Sequence, residues 1–179
     1  MTQQASPFEQ VISYVHHQAE KGVDNLHQLM ERTVADWARC LDGVTEAQAT
    51  FRSGKEWTIK EVLGHAIAST RLVNRQVAEA AQGRVNDAPF GSADALRDQP
   101  ATEERRSMVE LRREMAAALG ETRELIRWLQ GLGALDARFQ HPFFGSLGLL
   151  EWIAFQRVHA LDHIQQIEKV KADSAYPRG

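Results

Sequence analysis

Trp57-Thr58-Ile59-Lys60-Glu61-Val62-Leu63-Gly64-His65-Ala66-Ile67 is the stretch on which the fold turns. Thr58 followed three residues later by Glu61 is a capping box. The hydroxyl accepts from a free backbone N–H in the first turn, and the carboxylate reaches back to the amide of the capping residue. Trp57 before the cap and Val62 after it can close a hydrophobic staple. Leu63, Ile67, Leu72 and Val73 continue an apolar stripe towards Gln82, and Gly83 supplies a stop. The segment therefore opens a helix with one face to bury.

The same 3.6-residue period recurs on either side. Upstream, Val23, Leu26, Met30, Val34, Trp37 and Leu41 share one face of a helix running from about Phe8 to Leu41. Gly22 can break or bend it and leave Phe8 to Glu20 as a separate short helix. Downstream, Arg84 to Pro100 is a looser stretch with Pro89, Gly91 and Pro100. A third helix is predicted to begin at Thr102, with Glu103 and Glu104 at its positive end. Its stripe is Met108, Leu111, Met115, Leu119, Leu125 and Leu129. Gly131, Gly133, Pro142 and Gly145 mark the next connection. A fourth helix is predicted from Gly148, with Glu151 three residues in, to about Lys171. No strand pattern or internal repeat competes.

This pattern predicts an all-α four-helix bundle, a single domain over residues 1–171, with 172–179 as a disordered tail. The connections are longer than a simple up-and-down bundle needs. A long second connection can cross over and leave helices two and three parallel.

Composition narrows the class. The chain has 179 residues, 43% hydrophobic and 25% charged, with a net charge of −3. No basic stripe with interleaved aromatics argues for nucleic acid. Cys40 is the only cysteine, so neither an internal disulfide nor a cysteine-rich metal site can form, which suits a reducing compartment. No signal segment or membrane-spanning run is visible. A cytoplasmic protein acting on a small-molecule substrate is expected.

The chemistry lies in the histidines. His159 and His163, four apart on the fourth helix, face the same way and can share a metal. That spacing alone is weak evidence, because many helices carry such pairs for other reasons. His65 is the third candidate; taken singly, it reads as a buried neutral histidine. At 1.5 Å per residue, His65 lies roughly 10 Å into helix two, and His159 and His163 lie roughly 16 to 22 Å into helix four. Helices of roughly 35 Å bring them to similar heights only if they are antiparallel.

The segment Trp57 to His65 resembles the second-helix signature of the DinB/YfiT-like superfamily. His141-Pro142-Phe143-Phe144-Gly145, through Glu151-Trp152 to His159, His163 and Gln166, is similar to its fourth-helix signature. The resemblance implies an up-down-down-up bundle and a metal site of His65, His159 and His163. It also implies homodimers and metal-dependent transferases that use a low-molecular-weight thiol such as mycothiol, bacillithiol or glutathione. Gly148 departs from the Ser or Thr that relatives often carry there.

Structural zinc is usually closed by four protein ligands, whereas a catalytic site keeps a position open. Three imidazoles thus point to one divalent transition metal, zinc or nickel first, able to activate a bound water or thiol or to polarise a carbonyl. By spacing, Glu61, Ser69, Gln156 and Gln166 are the residues that can stand behind the ligands. Glu61 can equally serve only as a cap, and the two glutamines can face solvent. Asp162 points away. His16, His17, His27 and His141 read as ordinary residues. Trp37, Trp128 and Trp152 read as core anchors, and Cys40 as a small buried residue. The expected function is metal-dependent transfer of a low-molecular-weight thiol to a small electrophile, with metal-dependent hydrolysis and a non-catalytic metal-stabilised ligand-binding module as the alternatives.

Overall fold

A computed structural model describes residues 6–84, 105–132 and 135–178. Its elements are α1 (Pro7–Glu20), α2 (Val23–Leu41), the single turn α3 (Glu46–Ala49), α4 (Ile59–Ala81) and α5 (Met108–Gln130). They are followed by β1 (Arg138–His141), β2 (Gly145–Gly148) and α6 (Leu149–Lys171). The expected first helix is two. Gly22, at φ +80°, takes a left-handed conformation that suits glycine and ends the α-helical path between α1 and α2. The predicted capping box of α4 is present: Glu61 N donates to Thr58 Oγ1 at 3.2 Å, and Thr58 N to Glu61 Oε2 at 2.7 Å.

Two expectations about the later chain are corrected. α5 begins at Met108; Thr102 lies outside the described residues, and residues 105–106 are not helical. Ser107 and Glu110 form a complete box there, whereas Thr102 is followed at the third position by Arg105, which cannot reach back as a carboxylate does. The connection before α6 carries a short antiparallel hairpin, with Arg138 opposite Gly148 and His141 opposite Gly145. Strands this short leave no period in the sequence. The hairpin is held by Phe139, whose ring stacks on Trp152 of α6 at 4.5 Å and 9°.

The side-chain pairs between helices set the topology. Arg112, early in α5, donates to the carbonyls of Leu41, the last residue of α2, and of Val44 just beyond it, and Arg123 reaches back to Glu31, so α2 and α5 are antiparallel. Arg71 meets Glu114 and Asn74 meets Thr122, so α4 and α5 run parallel. Asp36 pairs with Arg157, and the Cys40 carbonyl with Lys171, so α2 and α6 are also parallel. The order is up-down-down-up, with α2 and α4 each packed on both α5 and α6. α1 lies along α6, tied by His16 Nδ1 to Glu151 Oε1 at 2.5 Å.

The core takes in residues of the anticipated stripes, with Leu26, Met30, Leu63 and Leu111 fully buried, and adds Ile126 of α5 and Trp152, Ile153 and Ile167 of α6, where no stripe was read. Each such side chain contributes about 1.5–3 kcal/mol through burial. Trp37 and Trp152 are core residues, but Trp128 is 39% exposed and is no anchor. Cys40 is buried, and burial pushes its thiol up to about 12, which makes it a poor nucleophile. Against the expected disorder of the tail, Asp173 accepts from Ser53, Tyr176 meets Phe51 edge-on at 5.6 Å, and the Pro177 carbonyl accepts from Gln48 at 2.9 Å. Among the described residues no helix is long and apolar enough to cross a membrane.

Candidate metal centre

α4 and α6 are antiparallel neighbours, so a residue near the start of one meets residues well along the other. His65 sits in the second turn of α4. His159 and His163 follow one another on the face of α6 that it meets. Ring centroids lie 5.5 Å apart for His65 and His159, 4.8 Å for His65 and His163, and 4.3 Å for His159 and His163. One ring nitrogen from each lies within 4.8 Å of the others. Among the described residues this is the one such grouping of three or more His, Cys, Asp or Glu side chains.

Two of the three imidazoles, His159 and His163, are held towards the neutral form. Burial holds His159 well below the usual imidazole range, and repulsion from His163, His65 and His141 adds to the effect. Burial lowers His163 as well, opposed by Gln166 and the charge of Asp162. Neutral imidazoles ligate; imidazolium does not. His159 Nε2 and His163 Nε2 are 3.1 Å apart. With metal–nitrogen bonds of about 2.0–2.1 Å, two nitrogens on a tetrahedral ion stand about 3.3 Å apart, so the pair is close to the spacing that one ion requires.

The residues placed by spacing behind the three histidines differ in what they touch. Gln166 Oε1 lies 3.1 Å from His163 Nδ1. An amide oxygen only accepts, so Nδ1 carries the proton and the lone pair of Nε2 is left facing His159. Ser69 Oγ stands 3.4 Å from His65 Nε2, a long contact. Glu61 commits one carboxylate oxygen to the Thr58 amide and the other to Arg52 at 2.6 Å, which is the capping role. Gln156 turns to neither the histidines nor solvent; its amide is buried against Asn74 and Thr122. Asp162 is exposed.

Two aromatic rings flank the cluster. Trp57 meets His65 edge-on at 5.3 Å, and Phe155 lies 6.1 Å from His159. The four remaining histidines stay outside it. His16 pairs with Glu151 and His17 is exposed on α1, while His27 is half-buried on α2. His141, at the end of β1, accepts from the amides of Phe143 and Phe144 at 3.1 and 3.2 Å. Its ring lies among Phe144, Trp152 and Phe155, and burial brings it down to about 4.

Sequence reasoning passed over Arg52, Asn74 and Thr122. The first had no visible signal. The other two had one: each is a polar residue where its helix's apolar stripe calls for a hydrophobe, Asn74 between Ile67 and Val77, and Thr122 between Leu119 and Leu125.

The profile described as the DinB superfamily matches residues 29–167. No curated protein matches. Among solved structures, the YfiT protein of Bacillus subtilis superposes with a TM-score of 0.68 at 14% identity, covering 86% of this chain and 87% of its own. It is described as a probable metal-dependent hydrolase with an unusual four-helix bundle topology.

Proposed function

The chain belongs to the DinB superfamily, and on that premise we propose that it is a metal-dependent enzyme in which His65, His159 and His163 hold one divalent transition ion, zinc or nickel, and whose reaction is hydrolysis of a small molecule. The observation that carries this reading is the convergence of three imidazole nitrogens within 4.8 Å, with no carboxylate or thiol in the group among the described residues. Three nitrogen donors fit a divalent ion of this class and leave coordination positions for reactants. An ion so held supplies Lewis acidity and lowers the pKa of a bound water or thiol.

The protein's own residues do the rest. Burial keeps His159 and His163 neutral, and Gln166 fixes the tautomer of His163. Trp57 and Phe155 give the cluster an apolar rim, which strengthens polar interactions made inside it. The likeness to a relative described as a probable metal-dependent hydrolase supports hydrolysis over the alternatives. Transfer of a low-molecular-weight thiol to a small electrophile is the competing reading, drawn from the family resemblance, and would use the same ion.

The test is a substrate panel on protein reconstituted with zinc or nickel. Esters, amides and strained electrophiles are offered with and without mycothiol, bacillithiol or glutathione. Hydrolysis independent of thiol, lost in His163→Ala, is the expected result. Turnover only with a thiol would transfer the assignment to the competing reading. Inertness of the metal-loaded protein throughout would leave a metal-stabilised binding module.

A further inference from the structure

Asn74 on α4, Thr122 on α5 and Gln156 on α6 are polar residues on core faces, and all three are buried. Their bonds form one closed set. Gln156 Nε2 donates to Asn74 Oδ1 at 3.0 Å, and Asn74 Nδ2 donates to Thr122 Oγ1 at 3.0 Å. The Thr122 hydroxyl proton has Asn74 Oδ1 and the Ala118 carbonyl, each at 3.1 Å, and Gln156 Oε1 at 3.4 Å. Three helices are thereby pinned at one height. Breaking the set would strand buried amides without hydrogen-bond partners.

The pinned helices include the two that carry the histidines. Gln156 lies one turn before His159 on α6, and Asn74 lies roughly 13 Å along α4 from His65 by the helical rise. Apolar packing is non-directional and tolerates small sliding of one helix along another. Hydrogen bonds are held to a few tenths of an ångström and fix the axial offset. Metal sites need their ligands placed to about 0.5 Å.

We propose that the Asn74–Thr122–Gln156 triad is a positioning device for the metal centre, setting the α4/α6 offset at which His65 meets His159 and His163. The proposal rests on the metal-site reading above. None of the three residues touches the metal; they act through the helices.

Two variants test it on the full chain: Gln156→Met, and the volume-matched set Asn74→Leu, Thr122→Val and Gln156→Met together. The triple change removes every partner at once and leaves no stranded polar group, so the metal-free melting temperature should be unchanged or raised. Zinc affinity, read by competition with a chromophoric chelator, should fall about tenfold or more in both variants. The visible absorption of the cobalt-loaded protein should change as the ligand geometry loosens. Wild-type zinc affinity and cobalt spectrum in Gln156→Met would overturn the proposal, and that single variant decides the matter if the triple one does not fold. Wild-type protein that binds neither zinc nor cobalt would instead bring down the metal reading, and this proposal with it.

Discussion

His159 Nε2 and His163 Nε2 face each other at 3.1 Å across one turn of α6. Two imidazoles brought this close have either a shared proton or a common ion between them. Between neutral rings the proton is the one that His159 Nε2 carries, whereas an ion takes the lone pairs of both nitrogens, and the contact of Gln166 with His163 Nδ1 leaves the lone pair of His163 Nε2 free for either. The order of the bundle brings His65 to the same point, because an up-down-down-up chain leaves α4 antiparallel to α6.

Removal of the tautomer-setting amide should weaken the site without abolishing it. Gln166→Leu leaves the three histidines in place but takes the acceptor from His163 Nδ1. Zinc affinity should fall about tenfold to a hundredfold. Unchanged affinity by chelator competition would show that Gln166 does not orient the ligand.

Acid should destabilise the metal-free protein. His141 is down at about 4, and His159 and His163 are also lowered, all chiefly by burial. The unfolded chain, with ordinary imidazoles titrating at about 6.5, binds more protons below that pH than the folded one does. Their contribution to stability is therefore full above about pH 6.5 and declines as the pH falls towards 4. Urea melts from pH 8 to pH 4.5 should show a falling midpoint; a midpoint that rises on acidification would reverse the assignment.

The cap of α4 should separate stability from ligation. Thr58→Ala removes the acceptor for the Glu61 amide and should cost about 1–2 kcal/mol in a urea melt. Metal content should stay at the wild-type value, since α4 retains its face against α6. A variant with full stability would mean that the buried cap contributes nothing.

Much of this was legible from local signals. The capping box at Thr58 and Glu61, the stripes of α2 and α5 and the span of α6 each state a helix in a few residues, and the spacing of His159 and His163 states a shared face. That His65 joins them needed the antiparallel relation, which no single segment states; the long second connection permits it, and the family resemblance implies it. The hairpin was hidden because four-residue strands carry no period; its hold is one distant stack, Phe139 on Trp152. Trp128 misled because size was taken for burial. Gln156 misled because its position beside His159 along the helix said nothing of Asn74, which is 82 residues away in the chain.

Bystander histidines give the contrast for the ligands. His17→Ala and His27→Ala should leave metal content and fold unchanged. His16→Ala should also keep its metal while losing the tie to Glu151, seen as a modestly lower melting temperature. Loss of metal in any of the three would place a ligand outside the cluster.

The decisive measurement is metal per chain after reconstitution with zinc or nickel and removal of excess ion, made on wild type and on His65→Ala, His159→Ala and His163→Ala, with circular dichroism to confirm folding. The account predicts one ion per wild-type chain and far less than one in each variant at wild-type helicity. A folded His163→Ala protein that still carries one ion per chain would contradict it.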